Sequence, residues 1–299
     1  MDVARARRLV PAGLRESAAL TGADALSWLD GLPDLVVASC ARWSLDLDEG
    51  VPAHGAHALV LPVRRDGRAC VLKLSHRGDD VRGEVTALRT WAGRGAVRLL
   101  DADVEGDVLL LERLDTSRSL SDCPPEEVSR AVGRLLRELA VPARDGTPTT
   151  AAEAEQIART VGDRQRRLGN PLPERWVTAS RHAAELLSTR AVVPTLVHAD
   201  LTPDNVLRRP GAGWVVVDPK ALAGPPERSL PELLWRLVDH PAGRDLPALL
   251  RSICAAGDLD EELAREWVVA RTVDYWSWAV DVGLTTDPLR CRAVLAALA

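Results

Sequence analysis

The densest cluster of chemically capable side chains lies between Leu196 and Lys220. In Leu196-Val197-His198-Ala199-Asp200-Leu201-Thr202-Pro203-Asp204-Asn205, an Asp stands two residues after a His, and an Asn five residues after that Asp. Thirteen residues beyond Asn205 the apolar run Trp214-Val215-Val216-Val217 ends on Asp218, followed by Pro219 and Lys220. Phosphoryl transfer requires such a set: a carboxylate that orients and accepts from the attacking hydroxyl, and oxygen ligands for the Mg²⁺ ions that neutralise a triphosphate. A loop leaving a buried apolar strand can present both from one rigid turn. Scarce residues gather here too. Only Asn170 and Asn205 are asparagine, and of 38 lysines plus arginines only Lys73 and Lys220 are lysine. Where any solvated positive charge suffices this chain uses Arg, so a retained Lys marks a position that needs a compact ammonium.

The elements that must hold these residues follow from periodicity. The stretch 30–43 reads as a helix starting at Leu32-Pro33 with an apolar face of Leu35, Val36, Ser39 and Cys40. Strand patterns follow at 43–48, 57–65 and 69–75, the last two joined by the turn Arg65-Asp66-Gly67-Arg68, so a hairpin carries Lys73. Helical spacing of Val81, Val85, Leu88 and Trp91 predicts a helix over 79–93, with Asp79 and Asp80 as cap candidates and Gly93 as the stop. Strands at 97–100 and 108–112 complete a small antiparallel sheet. The remainder reads as helices over 124–140, 151–168, 174–190, 227–240, 245–256 and 260–283, interrupted by the strand-loop-strand patch 195–218. The Pro/Thr/Gly-rich stretch 141–150 reads as a surface loop.

Composition bounds the remaining possibilities. A chain of 299 residues, 46% hydrophobic and 27% charged, is globular and large enough for one large domain or two smaller ones. The absence of an apolar run of membrane-spanning length predicts a soluble, cytoplasmic protein with no membrane partner. Five dispersed cysteines without a Cys-x-x-Cys pair point to reducing cytosol and away from a zinc site. A net charge of −5 argues against a nucleic-acid partner and suits a neutral or cationic small molecule.

Ahead of the chemical cluster stand, in order, Gly31-Leu32-Pro33, Arg42-Trp43, Leu61-Pro62-Val63, Val71-Leu72-Lys73-Leu74, Leu88-Arg89-x-Trp91, Val97-Arg98-Leu99-Leu100 and Leu110-Leu111-Glu112-Arg113-Leu114. With the His198–Asn205 segment, this series resembles the aminoglycoside phosphotransferases over nearly the whole chain. Asp218-Pro219-Lys220 is similar to the metal-binding turn of their streptomycin 6-kinase and hydroxyurea-kinase branch. The resemblance implies an α+β, two-lobed, protein-kinase-like fold. Its small N-terminal sheet lobe would span 1–114 and its mainly helical C-terminal lobe 115–299. ATP and Mg²⁺ are the implied cofactors, and the implied reaction moves the γ-phosphate to a hydroxyl of a small, neutral or cationic acceptor, foremost an aminoglycoside such as streptomycin. Hydroxyurea or a sugar-like metabolite is the alternative acceptor, and a catalytically silent kinase-like binding module the alternative class.

The same resemblance implies roles. Lys73 would contact the α/β-phosphates and be held by Glu84. Asp200 would be the base or hydroxyl orienter, His198 a brace for the loop, and Asn205 and Asp218 the Mg²⁺ ligands. Glu112 and Leu114 would offer backbone hydrogen bonds to adenine. Lys220 would meet a phosphate oxygen or pair with an acid. His54 and His57 fall where a phosphate-covering loop is expected, although Gly50 and Gly55 form no glycine fingerprint. Ala199 and Thr202 replace the Gly and His usual in the wider family. After Gly224 the family's acidic pattern gives way to Pro225-Pro226-Glu227-Arg228-Ser229, so the loop below the site is expected to be braced differently. A protein kinase is disfavoured, because Thr202 stands where such kinases carry Lys and a chain with no Phe has no Asp-Phe-Gly.

For the acceptor, 266–283 places Trp267, Arg271, Asp274, Trp278 and Asp281 on one helix face, with Val269, Val273, Trp276 and Val280 on the core face. The resemblance implies an acceptor wall with Asp274, Trp278 and Asp281 as substrate residues. A solvated face on which Asp274 pairs with Arg271 is the equal alternative.

Overall fold

A computed structural model describes residues 2–55, 57–76 and 80–299, and Asp79, one of the two expected cap residues, lies outside them. The chain forms two compact units, one of residues up to Gly93 together with Val97–Leu114, the other of Arg94–Ala96 and Asp115–Ala299.

The first unit opens with helices α1 (Val3–Arg7), α2 (Ala12–Thr21) and α3 (Ala23–Arg42). The last begins at Ala23, nine residues before Leu32, where the start is expected, and runs through Pro33, which is buried within the helix and does not open it. The apolar stripe of Leu29, Leu32, Val36 and Cys40, buried against the sheet, carries the helix past the missing N–H. Strands β1 (Leu45–Leu47), β2 (Ala53–His54), β3 (Ala58–Arg65) and β4 (Arg68–Ser75) precede α4 (Val81–Trp91), and β5 (Leu99–Asp103) and β6 (Val108–Glu112) follow it. Their antiparallel order is β1-β3-β4-β6-β5, with β2 on β3. Asp66 and Gly67 both take positive φ, 51° and 74°, as a two-residue hairpin turn between right-twisted strands requires. Along β3 and β4 the side chains alternate: Leu59, Leu61, Val63, Cys70, Leu72 and Leu74 face the helices α1–α3 in one core. Lys73, opposite Val60 and Leu109, therefore stands on the other face.

The second unit is mainly helical: α5 (Pro125–Leu139), α6 (Thr150–Arg167), α7 (Glu174–Thr189), then after a strand patch α8 (Leu230–Leu237), α9 (Leu246–Gly257), α10 (Glu261–Asp281) and α11 (Thr286–Leu298). The expected helix over 227–240 is shorter, because Pro226–Ser229 forms a separate 3₁₀ turn ahead of it. In the patch, β7 (Thr195–His198) pairs with β10 (Ala221–Gly224), and β8 (Val206–Arg209) with β9 (Gly213–Val216). Helix α10 packs against α6, α7, α8 and α11, which buries Trp267, Val268, Val273 and Trp276. Helices α5 and α9 approach closely at Gly133, where a Cβ would lie 2.7 Å from the backbone nitrogen of Gly257. All five cysteines are free and buried. Among the described residues no helix is long and apolar enough to cross a membrane.

Candidate functional site

In the first unit the candidate residues centre on a charge on a buried helix face. Val81, Glu84, Val85, Leu88 and Trp91 form the inward stripe of α4, which starts where the Asp80 side chain accepts from the Gly83 N–H at 2.8 Å and ends at Ala92 in the left-handed region. A carboxylate on such a face requires a partner, because an unpaired buried charge costs several kcal/mol. Lys73 supplies it from β4: Nζ lies 2.7 Å from Glu84 Oε2, and both side chains are less than one-tenth exposed. At the end of β6, the Glu112 carboxylate accepts from the Arg98 N–H at 2.8 Å. Leu114, two residues on, is half-buried, and its backbone N–H and C=O have no hydrogen-bond partner among the described residues. His54 lies on the short strand β2, exposed, and Ala56 beside His57 falls outside the described residues.

In the second unit, β7 delivers His198 into the interior and Asp200 to the turn that follows. The His198 ring is buried, and its Nε2–H donates to the Val217 carbonyl at 2.9 Å while Nδ1 accepts from the Asp200 N–H at 3.3 Å. Burial pushes this imidazole below the ordinary histidine value, outweighing the Val217 carbonyl and the Asp200 and Asp218 charges that pull it upward. A neutral ring with both nitrogens engaged ties the loop to the end of β9. Asn205 Nδ2 donates to the Asp200 carbonyl at 2.8 Å, and the Val217 N–H donates to the Asn205 carbonyl at 2.9 Å. These bonds lock the Asp-to-Asn turn against the residue preceding Asp218, which itself adopts φ 54°. The Asn205 side chain spends its donor on the loop and keeps its amide oxygen as an acceptor. An amide oxygen and a carboxylate are hard oxygen donors suited to Mg²⁺, an ion that takes few protein ligands and fills its shell with water and phosphate. Lys220 Nζ stands 3.4 Å from Asp200 Oδ2.

Beside Asp200 and Lys220 opens a cavity of about 450 Å³ whose walls include Trp235, Tyr275 and Trp278. Those three rings form a ladder, Trp235 on Tyr275 at 4.4 Å and Tyr275 on Trp278 at 5.4 Å between centroids, and Trp235 Nε1 is fixed by Thr272 Oγ1 at 2.7 Å. The floor is a lattice of three guanidinium groups and three carboxylates. Arg228 makes a two-bond clasp on Glu153 (2.5 and 2.7 Å) and reaches Glu232 at 2.8 Å. Arg271 bonds Asp274 at 2.6 Å and Glu232 at 3.2 Å, and Arg164 holds the other Asp274 oxygen at 2.7 Å. Burial alone would raise the Glu153 carboxyl, yet the Arg228 charge and bonds, with the Arg271 charge, hold it below the ordinary glutamate value. The departure after Gly224 is thus resolved: Arg228, 1% exposed, provides the bracing from the 3₁₀ turn.

The stripe read on 266–283 separates in space. Asp274 and Trp278 line the cavity, with Asp274 also paired to Arg271. Asp281 does not line it, because Arg167 takes both its oxygens at 2.7 and 3.0 Å. Trp267 is a core residue, buried beneath Arg228. Sequence reasoning missed Glu153, Arg164, Arg228, Glu232, Trp235 and Tyr275 as wall residues. One signal was present: Glu153 and Arg164 are eleven residues apart, three helical turns, and so share a face of α6.

A six-stranded antiparallel sheet with its paired Lys and Glu, and a helical unit built around a His-x-Asp loop, define the class of small-molecule kinases with a protein-kinase-like fold. Solved structures agree on the fold. A thermostable mutant of aminoglycoside phosphotransferase APH(4)-Ia in its apo form superposes with a TM-score of 0.64 at 16% identity, over 89% of this chain and 97% of that one. At the level of sequence, residues 42–283 match the family described as aminoglycoside/hydroxyurea antibiotic resistance kinase, and the chain belongs to that family. It is 34% identical to a streptomycin 6-kinase of Streptomyces glaucescens, over 88% of this chain and 87% of that protein. It is 36% identical to a hydroxyurea phosphotransferase of Kitasatospora aureofaciens, over 91% and 80%.

Proposed function

We propose that this protein is an ATP-dependent O-phosphotransferase that phosphorylates a hydroxyl of a small molecule, an aminoglycoside such as streptomycin. The observation that carries the reading is the loop in which the buried His198 ring and the Asn205 side chain both bond the Asp200 backbone, with Asp200 lining a cavity. Pre-organisation of this kind is what a hydroxyl-orienting base requires. The acceptor hydroxyl donates to Asp200, its oxygen bonds the γ-phosphorus, and the proton passes to the carboxylate as ADP leaves. Lys73, held by Glu84, binds the α/β-phosphates, and the Leu114 backbone meets the adenine ring. Asn205 and Asp218 would hold Mg²⁺, which when bound supplies charge neutralisation for the triphosphate. The nucleotide-binding groups thus belong to 1–114, and the base, metal ligands and acceptor walls to 115–299.

A second reading, hydroxyurea as acceptor, is favoured by the charge balance of the cavity, where each carboxylate of the floor is already matched by an arginine. Acceptor-dependent ADP release with streptomycin and with hydroxyurea separates the two, and turnover with neither overturns both. Asp200→Asn should lower turnover by about 10²- to 10⁴-fold at unchanged nucleotide affinity. Near-normal turnover in that variant would remove Asp200 from the reaction.

A further inference from the structure

We propose that Lys220 is a catalytic residue whose ammonium binds the phosphoryl group in transit while Asp200 takes the acceptor proton; the inference rests on the phosphotransferase reading above. Three features place the side chain. Asp218 in the left-handed region and Pro219 after it fix the direction of the chain, and the Ala199 N–H donates to the Lys220 carbonyl at 2.8 Å. Pairing of Ala221 with His198 then sets Lys220 beside the loop that bears Asp200. Its Nζ and Asp200 open on the same cavity.

The contact is of the wrong kind for a stability device. At 3.4 Å it exceeds the 2.7–2.9 Å typical of a charge-assisted bond, and the Lys220 side chain is 69% exposed. Exposed pairs of this sort contribute little to stability. The other cations lining the cavity, Arg164, Arg228 and Arg271, each donate hydrogen bonds to carboxylates. Lys220 is, among the described residues, the lining cation that donates no hydrogen bond to a carboxylate. It is therefore the cation available to an incoming anion. Composition points the same way: a chain that writes nearly every positive charge as Arg kept Lys here, where a compact ammonium fits beside a tetrahedral group that a planar fork would crowd.

In the step, a bond forms from the acceptor oxygen to the γ-phosphorus. The bond from that phosphorus to the oxygen bridging the β-phosphate breaks, and ADP departs with its electron pair. The acceptor proton goes to Asp200. Lys220 transfers no proton; its charge offsets that of the phosphoryl oxygens as they pass from donor to acceptor, the kind of preorganised electrostatic stabilisation that acts on turnover more than on binding.

The test compares wild type, Lys220→Met and Lys220→Arg for ADP release from ATP with Mg²⁺, with streptomycin and without acceptor, where water takes the phosphoryl group. Calorimetry gives the ADP dissociation constant, and thermal melting confirms that these exposed substitutions leave the fold intact. For Lys220→Met we expect kcat to fall roughly 100-fold. ADP affinity and the streptomycin KM should stay within about threefold, and Lys220→Arg should recover part of kcat. A Lys220→Met kcat within about threefold of wild type, or a loss confined to ADP binding, overturns the proposal. If streptomycin fails to stimulate the wild type, the acceptor reading falls, and the same drop is expected in the acceptor-free rate. A wild type that releases ADP under neither condition overturns both.

Discussion

Replacing Arg228 with Met isolates the energetics of the cavity floor. The guanidinium is 1% exposed and makes three charged hydrogen bonds, two to Glu153 and one to Glu232, whose side chains are 22% and 6% exposed. Met fills much of the volume and keeps a contact on the Trp267 ring, so the loss is electrostatic. Two carboxylates are left in a poorly solvated place with only Arg271 in common, at 3.4 and 3.2 Å. Breaking a buried pair from one side costs about 3–5 kcal/mol. For a unit of this size that lowers Tm by on the order of 10 °C. Urea unfolding should give a lower midpoint at unchanged slope. The triple variant Arg228→Met with Glu153→Gln and Glu232→Gln should recover most of the loss, since no orphaned charge remains. The pH dependence has a fixed sign. The folded Glu153 carboxyl lies below its ordinary value of 4.5, so the stability it contributes is complete above that value and is lost as pH falls through the folded value. The gap between wild type and Arg228→Met should therefore narrow below about pH 4.5. An Arg228→Met protein within about 1 kcal/mol of wild type at pH 7 would refute the lattice as a structural element.

Two further outcomes follow from the geometry. Lys73→Arg should lower kcat/KM for ATP by at least about tenfold, since a planar fork does not fit where an ammonium sits 2.7 Å from Glu84 and both side chains are buried; steady-state kinetics check it, and a silent change would mean that lysine scarcity reflects coding bias. Asp274→Asn should alter the acceptor KM, because it frees Arg164 and Arg271 at the cavity wall, whereas Asp281→Asn should leave that constant unchanged, and equal effects from the two would place the acceptor elsewhere.

Where local chemistry decides structure, the sequence was readable. Asp66-Gly67 sets a tight hairpin turn, the alternation along β3 and β4 sets which face is core, and Asp80 caps α4. Signals that depend on tertiary contacts misled. Pro33 has the appearance of a helix start, but the apolar stripe extending back to Leu29 anchors α3 to the sheet and outweighs one missing hydrogen bond. Strand β5 runs to Asp103, three positions past the expected end and through Asp101 and Asp103, because an edge strand pairs on one side only and tolerates charge. Helices α1, α2 and α11 and the two-residue β2 carry too little periodicity to announce themselves.

The site shows the same division more sharply. His198, Asp200, Asn205 and Asp218 were legible because eight residues of sequence place three of them, and a short hairpin brings the fourth back to Val217 and the end of β9. The cavity wall was not, for a reason that lies in helix packing. Periodicity states which residues of α10 share a face; it does not state what covers that face. Several helices pack on α10, so its stripe is divided among a core ring at Trp267, a cavity wall at Asp274 and Trp278, and a surface clasp at Asp281. Charge was subject to the same limit. Counting carboxylates on one helix suggested an acidic pocket for a polycation, while α6 supplies arginines that balance them from more than 100 residues away in sequence, Arg164 on Asp274 and Arg167 on Asp281. With the floor neutral, what the cavity wall presents besides paired charge is the ring ladder of Trp235, Tyr275 and Trp278, which α8 and α10 build together and no single stretch of sequence announces.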